Sequence, residues 1–312
     1  MKLNIDIKEL IHAVSNNDWF YISKYIPNKI YKYRTFEKAY NIENIENNKI
    51  KLTDPKKFND PYDSALSYSI SFDSKIDSVL FRAFLEENKN IVSDKTMPLI
   101  NKLEKGATLN DIFLELATSN GIEKSEAVNM SRDLQGFLSD YLTKYVNSNF
   151  PSSSLRVCSF TTKNDNMLMW THYADEHRGF CIEYDISDIR NSFEIRRRLY
   201  PIIYTNELFK PQKYNFKEEE LWAQELVASL FKSQDWCYED EWRFVEAGGI
   251  GSEFFDIQKP SAIYFGARYD ENNEMNKINV KNLIYLSDKN GIKKYKMKLS
   301  NQEFKMIAEP FT

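Results

Sequence analysis

Two glutamates and an arginine alternate in one segment of the chain, and their side-chain types suit either an ion pair or a ligand-binding site. Glu239, Glu241 and Arg243 occupy every second position of a predicted strand, so they share one of its faces. Trp242 and Phe244 then lie on the opposite face and suit a core. Burying carboxylates and a guanidinium is costly unless they bind a ligand or one another. The polar face is therefore either solvated, with an ion pair on it, or directed at a ligand.

The composition is that of a globular protein and argues against several functional classes. Of the 312 residues, 42% are hydrophobic and 28% are charged, which is enough apolar material for a sizeable core. The net charge of -4 gives no overall electrostatic reason to expect nucleic-acid binding. The three cysteines are widely spaced, which predicts neither a disulfide framework nor a zinc site. There is no apolar leader and no apolar run of about 18 residues, so we expect a cytoplasmic protein without a membrane segment.

The spacing of apolar residues predicts an α+β fold, with a mixed or antiparallel sheet, peripheral helices and an inserted helical subdomain. Residues 1–28 are expected to form an N-terminal helical cap, and residues 29–73 and 151–312 the α+β core. The predicted helical insert covers residues 74–150. The predicted strands and extended segments cover residues 30–36, 50–52, 155–161, 179–184, 202–204, 236–245 and 262–266.

Three further elements are predicted in the second half of the chain. Apolar residues at helical spacing predict a long helix over residues 216–234 and a short one over residues 165–175. A final hairpin is expected to join residues 283–286 to residues 294–297, because Asn290-Gly291 between them is a typical hairpin turn. The strand of Tyr33 and Arg34, the strand of Ser159 and the short helix could all border the polar segment.

Six short motifs follow one another between roughly residues 30 and 270. They are Tyr31-Lys32-Tyr33-Arg34, Phe58-Asn59-Asp60-Pro61-Tyr62-Asp63, Cys158-Ser159-Phe160-Thr161, Met169-Trp170-Thr171-His172-Tyr173-Ala174, His177-Arg178-Gly179-Phe180 and Tyr238-Glu239-Asp240-Glu241-Trp242-Arg243. Their types and order resemble those of a bacterial domain of unknown function (DUF), family 2971. Members of that family often lie near mobile or defence-related genes. The resemblance therefore implies a toxin or phage-defence effector, and it implies little about the reaction.

Four residues also resemble the order found in ADP-ribosyltransferases. Arg34 lies on an early predicted strand, Ser159 on a later one, and Glu239 and Glu241 form a Glu-x-Glu pair near the end of the domain. In those enzymes the sheet splits around NAD, so the resemblance implies a split sheet and NAD as the bound nucleotide. The strand that carries the serine reads Ser-Phe-Thr rather than Ser-Thr-Ser, which is a departure from the usual pattern.

The same resemblance implies a role for each side chain. Glu241 would stabilise the oxocarbenium-like state that forms as the nicotinamide–ribose bond breaks. Glu239 would activate the acceptor as a general base, and Arg34 would hold the pyrophosphate. The other residues of the predicted NAD-binding set are Tyr33, Ser159, Tyr173, His172 and Arg243. Whether the acceptor is a protein or a nucleic acid is left open by the sequence.

Two other functions are also consistent with these residues. A metal-dependent nuclease or phosphodiesterase would bind Mg²⁺ or Mn²⁺ through carboxylates and a histidine; the candidates are Asp60, Asp63, Glu239, Glu241 and His172. The spacing of Asp60 and Asp63 fits no specific metal cage, and no metal ligand is assigned. A non-catalytic sensor or interaction module would instead use the helices of residues 74–150 as a protein-partner surface, with Glu239 and Arg243 as a structural ion pair.

Overall fold

The computed structural model of the protein describes residues 6–64, 72, 97–149, 155–210, 221–247, 253–270 and 276–311. The strands are β1 Lys29–Arg34, β2 Lys49–Lys51, β3 Leu155–Thr161, β4 Phe180–Asp185, β5 Leu199–Pro201, β6 Ile203–Thr205, β7 Phe231–Ser233, β8 Glu241–Ala247, β9 Phe254–Asp256, β10 Ala262–Phe265, β11 Lys293–Leu299 and β12 Met306–Pro310. The α-helices are α1 Ile7–Ser15, α2 Trp19–Ser23, α3 Tyr40–Glu46, α4 Met97–Glu104, α5 Leu109–Ser119, α6 Lys124–Asn149, α7 Met167–Tyr173, α8 Phe193–Arg196, α9 Leu221–Ala228 and α10 Lys277–Lys289. Two 3-10 helices cover Pro55–Lys57 and Gln234–Glu239. Helices predicted between residues 74 and 96 lie outside the described residues.

A mixed sheet of eight strands organises the described core and confirms the predicted α+β class. Its strand order is β12-β11-β10-β4-β1-β3-β8-β5. Neighbouring strands are antiparallel except β10 and β11, which are parallel. Two short pairs, β2 with β9 and β6 with β7, stand outside this sheet. The order places the early strand β1, the serine strand β3 and the glutamate strand β8 side by side.

The sheet is opened between β1 and β3. These two strands are joined at a single residue pair, Tyr31 and Thr161, whereas β1 pairs with β4 and β3 pairs with β8 along their lengths. In place of further backbone pairing, the Nζ of Lys32 donates to the carbonyl of Ser159 at 2.5 Å. Beyond the one bridge, the end of β1 that carries Arg34 therefore separates from β3.

Side-chain alternation on β1 separates two apolar clusters. Ile30 packs in a large cluster that includes residues of α3 and α10, while Tyr31 and Tyr33 pack in a smaller one with Trp170 of α7. The ring of Tyr33 meets that of Trp170 edge-on at 5.1 Å between centroids. Because neighbouring strand residues point to opposite faces, the two clusters fix β1 from both sides and hold its open end in place.

The chain divides into two compact units. One contains Met1–Ala65, Phe150–Phe209 and Phe216–Thr312, and it holds the sheet. The other contains Leu66–Asn149 and Lys210–Asn215. Its described part consists of α4, α5 and α6, around a small apolar cluster of Phe72, Leu103, Leu109 and Ile112. No described helix is long and apolar enough to cross a membrane.

The segment predicted as one strand over residues 236–245 is a 3-10 helix followed by a strand. The helix ends at Glu239, and Asp240 then adopts a left-handed conformation with φ 49° before β8 begins. This turn interrupts the expected alternation, so Glu239 is not a strand residue. From Glu241 onward the alternation is correct, since Trp242 and Phe244 are each only 1% exposed.

The predicted C-terminal hairpin is wrong, because its first arm is helical. Residues 283–286 lie within α10, whose Val280, Leu283 and Leu286 are buried at helical spacing. Gly291, with φ +63°, follows the C-cap of this helix, which is the position where glycine commonly ends a helix. The Asn-Gly pair is thus a helix stop, and β11 pairs in parallel with β10.

The helices predicted over residues 165–175 and 216–234 are shorter than expected in the described residues. In the described part of residues 216–234, the α-helix ends at Ala228, and Phe231–Ser233 forms strand β7. The helix predicted over residues 165–175 covers Met167–Tyr173 and is followed by residues with positive φ, among them Asp175 and Glu176. The first correction matters most, because it moves Lys232 from a helix onto a strand.

Gly179 permits the close approach that fixes the open end of β1. A Cβ on Gly179 would lie 2.3 Å from the carbonyl oxygen of Arg34. We expect Gly179→Ala to lower the free energy of unfolding by about 1–3 kcal/mol, the usual cost of overpacking. Gly136→Ala is the control, because Gly136 lies in α6 with no atom near its Cβ position, and it should gain up to about 1 kcal/mol. Equal stability of Gly179→Ala and wild type in urea denaturation would contradict the prediction.

Candidate active site

A cavity of about 240 Å³ lies where β1 and β3 separate. Its charged lining residues are Lys32, Arg34, Lys51, Asp63, Lys232, Glu239, Glu241 and Arg243. Its aromatic lining residues are Tyr31, Tyr33, Phe58, Phe160 and Tyr173. Arg34, Ser159, Glu239 and Glu241 all line it. Residues far apart in the sequence are therefore brought to one opening in the sheet.

Arg243 is fully buried and is bound by two carboxylates. Its Nε donates to Glu241 Oε1 at 2.8 Å, and its Nη atoms donate to the two oxygens of Asp63 at 2.7 and 2.6 Å. The carbonyl of Ser229 accepts a further hydrogen bond at 2.5 Å. Burial works against the charge, but Glu241 and Asp63 outweigh it and raise the pKa of Arg243. Arg243 therefore joins two of the sequence motifs and orients Glu241.

Lys232 binds both glutamates and was missed by the sequence prediction. Its Nζ lies 2.5 Å from Glu239 Oε2 and 2.8 Å from Glu241 Oε2, with Asp63 Oδ2 at 3.9 Å. The ion pair expected between Glu239 and Arg243 is replaced by these contacts, because the turn before β8 directs Glu239 toward Lys232. In the sequence, Lys232 follows an apolar run near the end of a predicted helix. Nothing in that pattern indicates contacts with the two glutamates.

The two glutamates that share Lys232 have opposite pKa shifts. Burial alone would raise the pKa of Glu241, but Arg243 and Lys232 outweigh it and hold that pKa at about 2. Burial raises the pKa of Glu239, and the neighbouring Glu241 adds to the rise, against the pull of Lys232. Paired carboxylates whose environments separate their pKa values are typical of acid–base sites. Glu241 is thus the more acidic carboxylate of the pair, and Glu239 is the more basic one.

Three other predicted residues of the NAD-binding set fall in different places. Tyr173 lines the cavity, and its hydroxyl donates to Glu239 Oε1 at 2.6 Å. Tyr33 also lines the cavity, but its hydroxyl donates to the carbonyl of Lys163 at 2.9 Å, and its ring packs in the apolar cluster with Trp170. His172 is exposed, with its ring 6.2 Å from that of Tyr238. Tyr173 is therefore well placed to act on Glu239, whereas the Tyr33 ring serves packing.

Two cations of β1 face the cavity with neutral partners. Lys32 donates to the Ser159 carbonyl, and its Nζ lies 5.1 Å from the centre of the Phe160 ring. Arg34 Nη1 lies 3.4 Å from the carbonyl of Tyr33. Within the part of the chain that the structure describes, neither cation forms an ion pair with a carboxylate. Burial lowers the pKa of both, that of Lys32 to about 8 with a further contribution from Arg34.

The carboxylates of the nuclease hypothesis are bound by cations of the protein itself. Asp63, Glu239 and Glu241 contact Lys232 or Arg243. Across the described ranges, no three His, Cys, Asp or Glu side chains are grouped so that they could hold a metal ion. Asp60 lies apart, lining a second cavity of about 480 Å³. The site is therefore built from ion pairs.

The low pKa of Glu241 predicts a pH dependence of stability. A carboxylate with a depressed pKa contributes stability above its ordinary pKa of about 4.5, and this contribution is lost as the pH falls through about 2. We expect the free energy of unfolding to fall between pH 4.5 and 2 by on the order of 3 kcal/mol from this group. Glu241→Gln should flatten that slope in urea denaturation. Identical slopes in the variant and the wild type would contradict the assignment.

Comparison with known proteins locates the family resemblance in this part of the chain. No curated protein and no solved structure matches the sequence. A family model described as Protein of unknown function (DUF2971) matches residues 169–244. That segment runs from α7 to β8 and contains Tyr173, Lys232, both glutamates and Arg243. The predicted resemblance is thereby confirmed for residues 169–244, which match the model of the DUF2971 family.

Proposed function

We propose that the protein binds NAD in the cavity between β1 and β3 and cleaves its nicotinamide–ribose bond. ADP-ribose would pass to an acceptor, or to water in a glycohydrolase reaction. The observation that carries the proposal is the convergence of Arg34, Ser159, Glu239 and Glu241 on one cavity. They come from three distant segments, and their order is the one that resembles ADP-ribosyltransferases.

Glu241 has the charge that the bond cleavage requires. As the C1′–N bond breaks, nicotinamide leaves with the bonding electrons and the ribose carbon becomes cationic. A carboxylate that stays ionised at every working pH stabilises that cation, and it does so most in a site shielded from water. Glu241 is 4% exposed and held ionised by Arg243 and Lys232. It is therefore suited to electrostatic stabilisation.

Glu239 has the environment of a general base. The acceptor forms a bond to C1′ and loses a proton, which a nearby carboxylate takes up. Burial and Glu241 raise the pKa of Glu239, so the group binds a proton more readily than an exposed glutamate. The hydroxyl of Tyr173 fixes one of its oxygens, and Lys232 fixes the other. These contacts support Glu239 as the group that takes up the proton lost by the acceptor.

An assay of purified protein with NAD tests the proposal. NAD labelled in the adenine part would be incubated with the protein alone and with cell lysate, and free nicotinamide and transferred label would be measured. We expect nicotinamide release, or label on an acceptor, without added metal. RNA and DNA with Mg²⁺ or Mn²⁺, with and without EDTA, form the second arm. EDTA-sensitive nucleic-acid cleavage without NAD turnover would favour the nuclease instead. A NAD-consuming reaction would also suit a toxin or phage-defence effector.

A further inference from the structure

The charges that line the cavity do not balance. Among the described lining residues, the three acidic side chains are Asp63, Glu239 and Glu241, while the five basic ones are Lys32, Arg34, Lys51, Lys232 and Arg243. Lys232 and Arg243 bind all three carboxylates. The remaining cations lie at the end of the cavity formed by β1 and β2. That end is expected to attract an anion.

Two of these remaining cations are presented from one strand. Lys32 and Arg34 are two positions apart on β1 and point to the same side of it. Both are partly buried, and both have a backbone carbonyl as hydrogen-bond partner. Lys51 differs, because its ammonium lies over the Tyr40 ring, 5.3 Å from the ring centre. Partly desolvated cations with spare donors are strong ligands for phosphate oxygens.

We infer that Lys32 is a phosphate ligand beside Arg34, so that the two cations contact the two adjacent phosphates of a diphosphate. The inference deepens the proposed function, on which it rests for the identity of the nucleotide. Arg34 offers a planar fork of donors and Lys32 a compact charge. The ligand class is a nucleoside diphosphate or its ribose ester. Lys32 thereby becomes a binding residue that neither motif resemblance assigns.

Binding of a diphosphate should be linked to proton uptake. Burial and Arg34 lower the pKa of Lys32 to about 8, and a bound anion would raise it. The other titratable groups that act on Lys32 are Cys158 on β3 and Glu241 on β8, and Glu241 stays ionised across this range. As the pH rises above about 8, Lys32 of the ligand-free protein loses its proton. Binding of a diphosphate must then be accompanied by uptake of a proton on Lys32. Affinity should therefore decrease as the pH rises above 8.

Titration calorimetry with nucleotides tests this site without requiring turnover. The probes are ADP-ribose, ADP, AMP, adenosine and inorganic pyrophosphate. We expect ADP and ADP-ribose to bind more tightly than AMP, and adenosine to bind weakest. Lys32→Met should weaken ADP binding by about 10- to 100-fold, the value of a charge-assisted hydrogen bond. Lys49→Met is the control, because Lys49 is exposed on β2 and does not line the cavity. It should change the affinity for ADP by less than about threefold. Lys32→Arg should restore most of the affinity.

A second readout separates a binding role from a structural one. Calorimetry of wild type at pH 8.5 in two buffers of different ionisation enthalpy should reveal proton uptake, and Lys32→Met should abolish it while its thermal unfolding stays cooperative. Equal losses of ADP affinity in Lys32→Met and Lys49→Met, or equal affinities of the wild type for ADP and adenosine, would overturn the inference. Diphosphate binding without NAD cleavage would uphold this site and reject the proposed function. NAD cleavage that is unaffected by Lys32→Met would uphold the proposed function and reject the phosphate-binding role of Lys32.

Discussion

Replacing Glu241 with glutamine is expected to lower nicotinamide release from NAD by about 10²–10³-fold, the usual effect of losing a group that stabilises charge in the transition state. The amide oxygen can still accept a hydrogen bond from Arg243 Nε or from Lys232, which now contact the carboxylate at 2.8 Å. The variant should therefore keep its fold, and the loss should appear in kcat with little change in the KM for NAD.

Glu246→Gln is the matched control for this prediction. Glu246 lies on the same strand, five residues further along, and is also ion-paired, in its case with Arg198. It does not line the cavity. Near wild-type activity is therefore expected in Glu246→Gln, measured in the same assay with circular dichroism to verify the fold. Full activity in Glu241→Gln, or an equal loss in both variants, would contradict the role assigned to Glu241.

Replacing Arg243 with methionine is expected to cost about 3–5 kcal/mol of unfolding free energy, the typical effect of removing one partner from a buried ion pair. Methionine nearly fills the volume of the aliphatic stem, but it leaves Glu241 and Asp63 buried with one fewer cation. The expected loss of unfolding free energy is large because all three side chains are buried. The Arg243 side chain is 0% exposed, and the Asp63 and Glu241 side chains are each 3% exposed. Urea denaturation measures the loss.

Arg178→Met separates burial from hydrogen-bond geometry. Arg178 also forms a fork to a carboxylate, with Nε and Nη2 at 3.0 and 2.9 Å from the two oxygens of Asp175. That pair is exposed, with side-chain exposures of 41% and 37%. Solvent screens such pairs, so the loss should be far smaller than for Arg243→Met. Similar losses in the two variants would show that burial of the charge network adds little to stability.

The sequence predicted the strands of the site better than it predicted the contacts between charges. Trp242 and Phe244 alternate with Glu241 and Arg243, and this local pattern correctly predicted a buried face on β8. The partners of the charges depend on chain segments far apart in sequence. Asp63 precedes Arg243 by 180 residues, and only its place in a motif drew attention to it. Pairing over such distances leaves no periodic signal.

Lys232 and the C-terminal helix were missed for different physical reasons. Lys232 follows apolar residues that fit a helix equally well, and its strand β7 is only three residues long. A short strand gives too few alternations to be distinguished from one helical turn. Residues 283–286 were assigned to a strand because the Asn-Gly pair after them is typical of hairpins. The same pair also ends helices, and only the wider spacing of Val280, Leu283 and Leu286 separates the two cases.

A crystal structure of Glu241→Gln with NAD tests the central claim most directly, because the variant should bind the substrate and cleave it slowly. The prediction is that NAD lies in the opening between β1 and β3, with its diphosphate beside Lys32 and Arg34. Its nicotinamide–ribose bond should lie beside residue 241, next to Glu239. NAD bound elsewhere, or a cavity without NAD in crystals soaked at saturating concentration, would contradict the account.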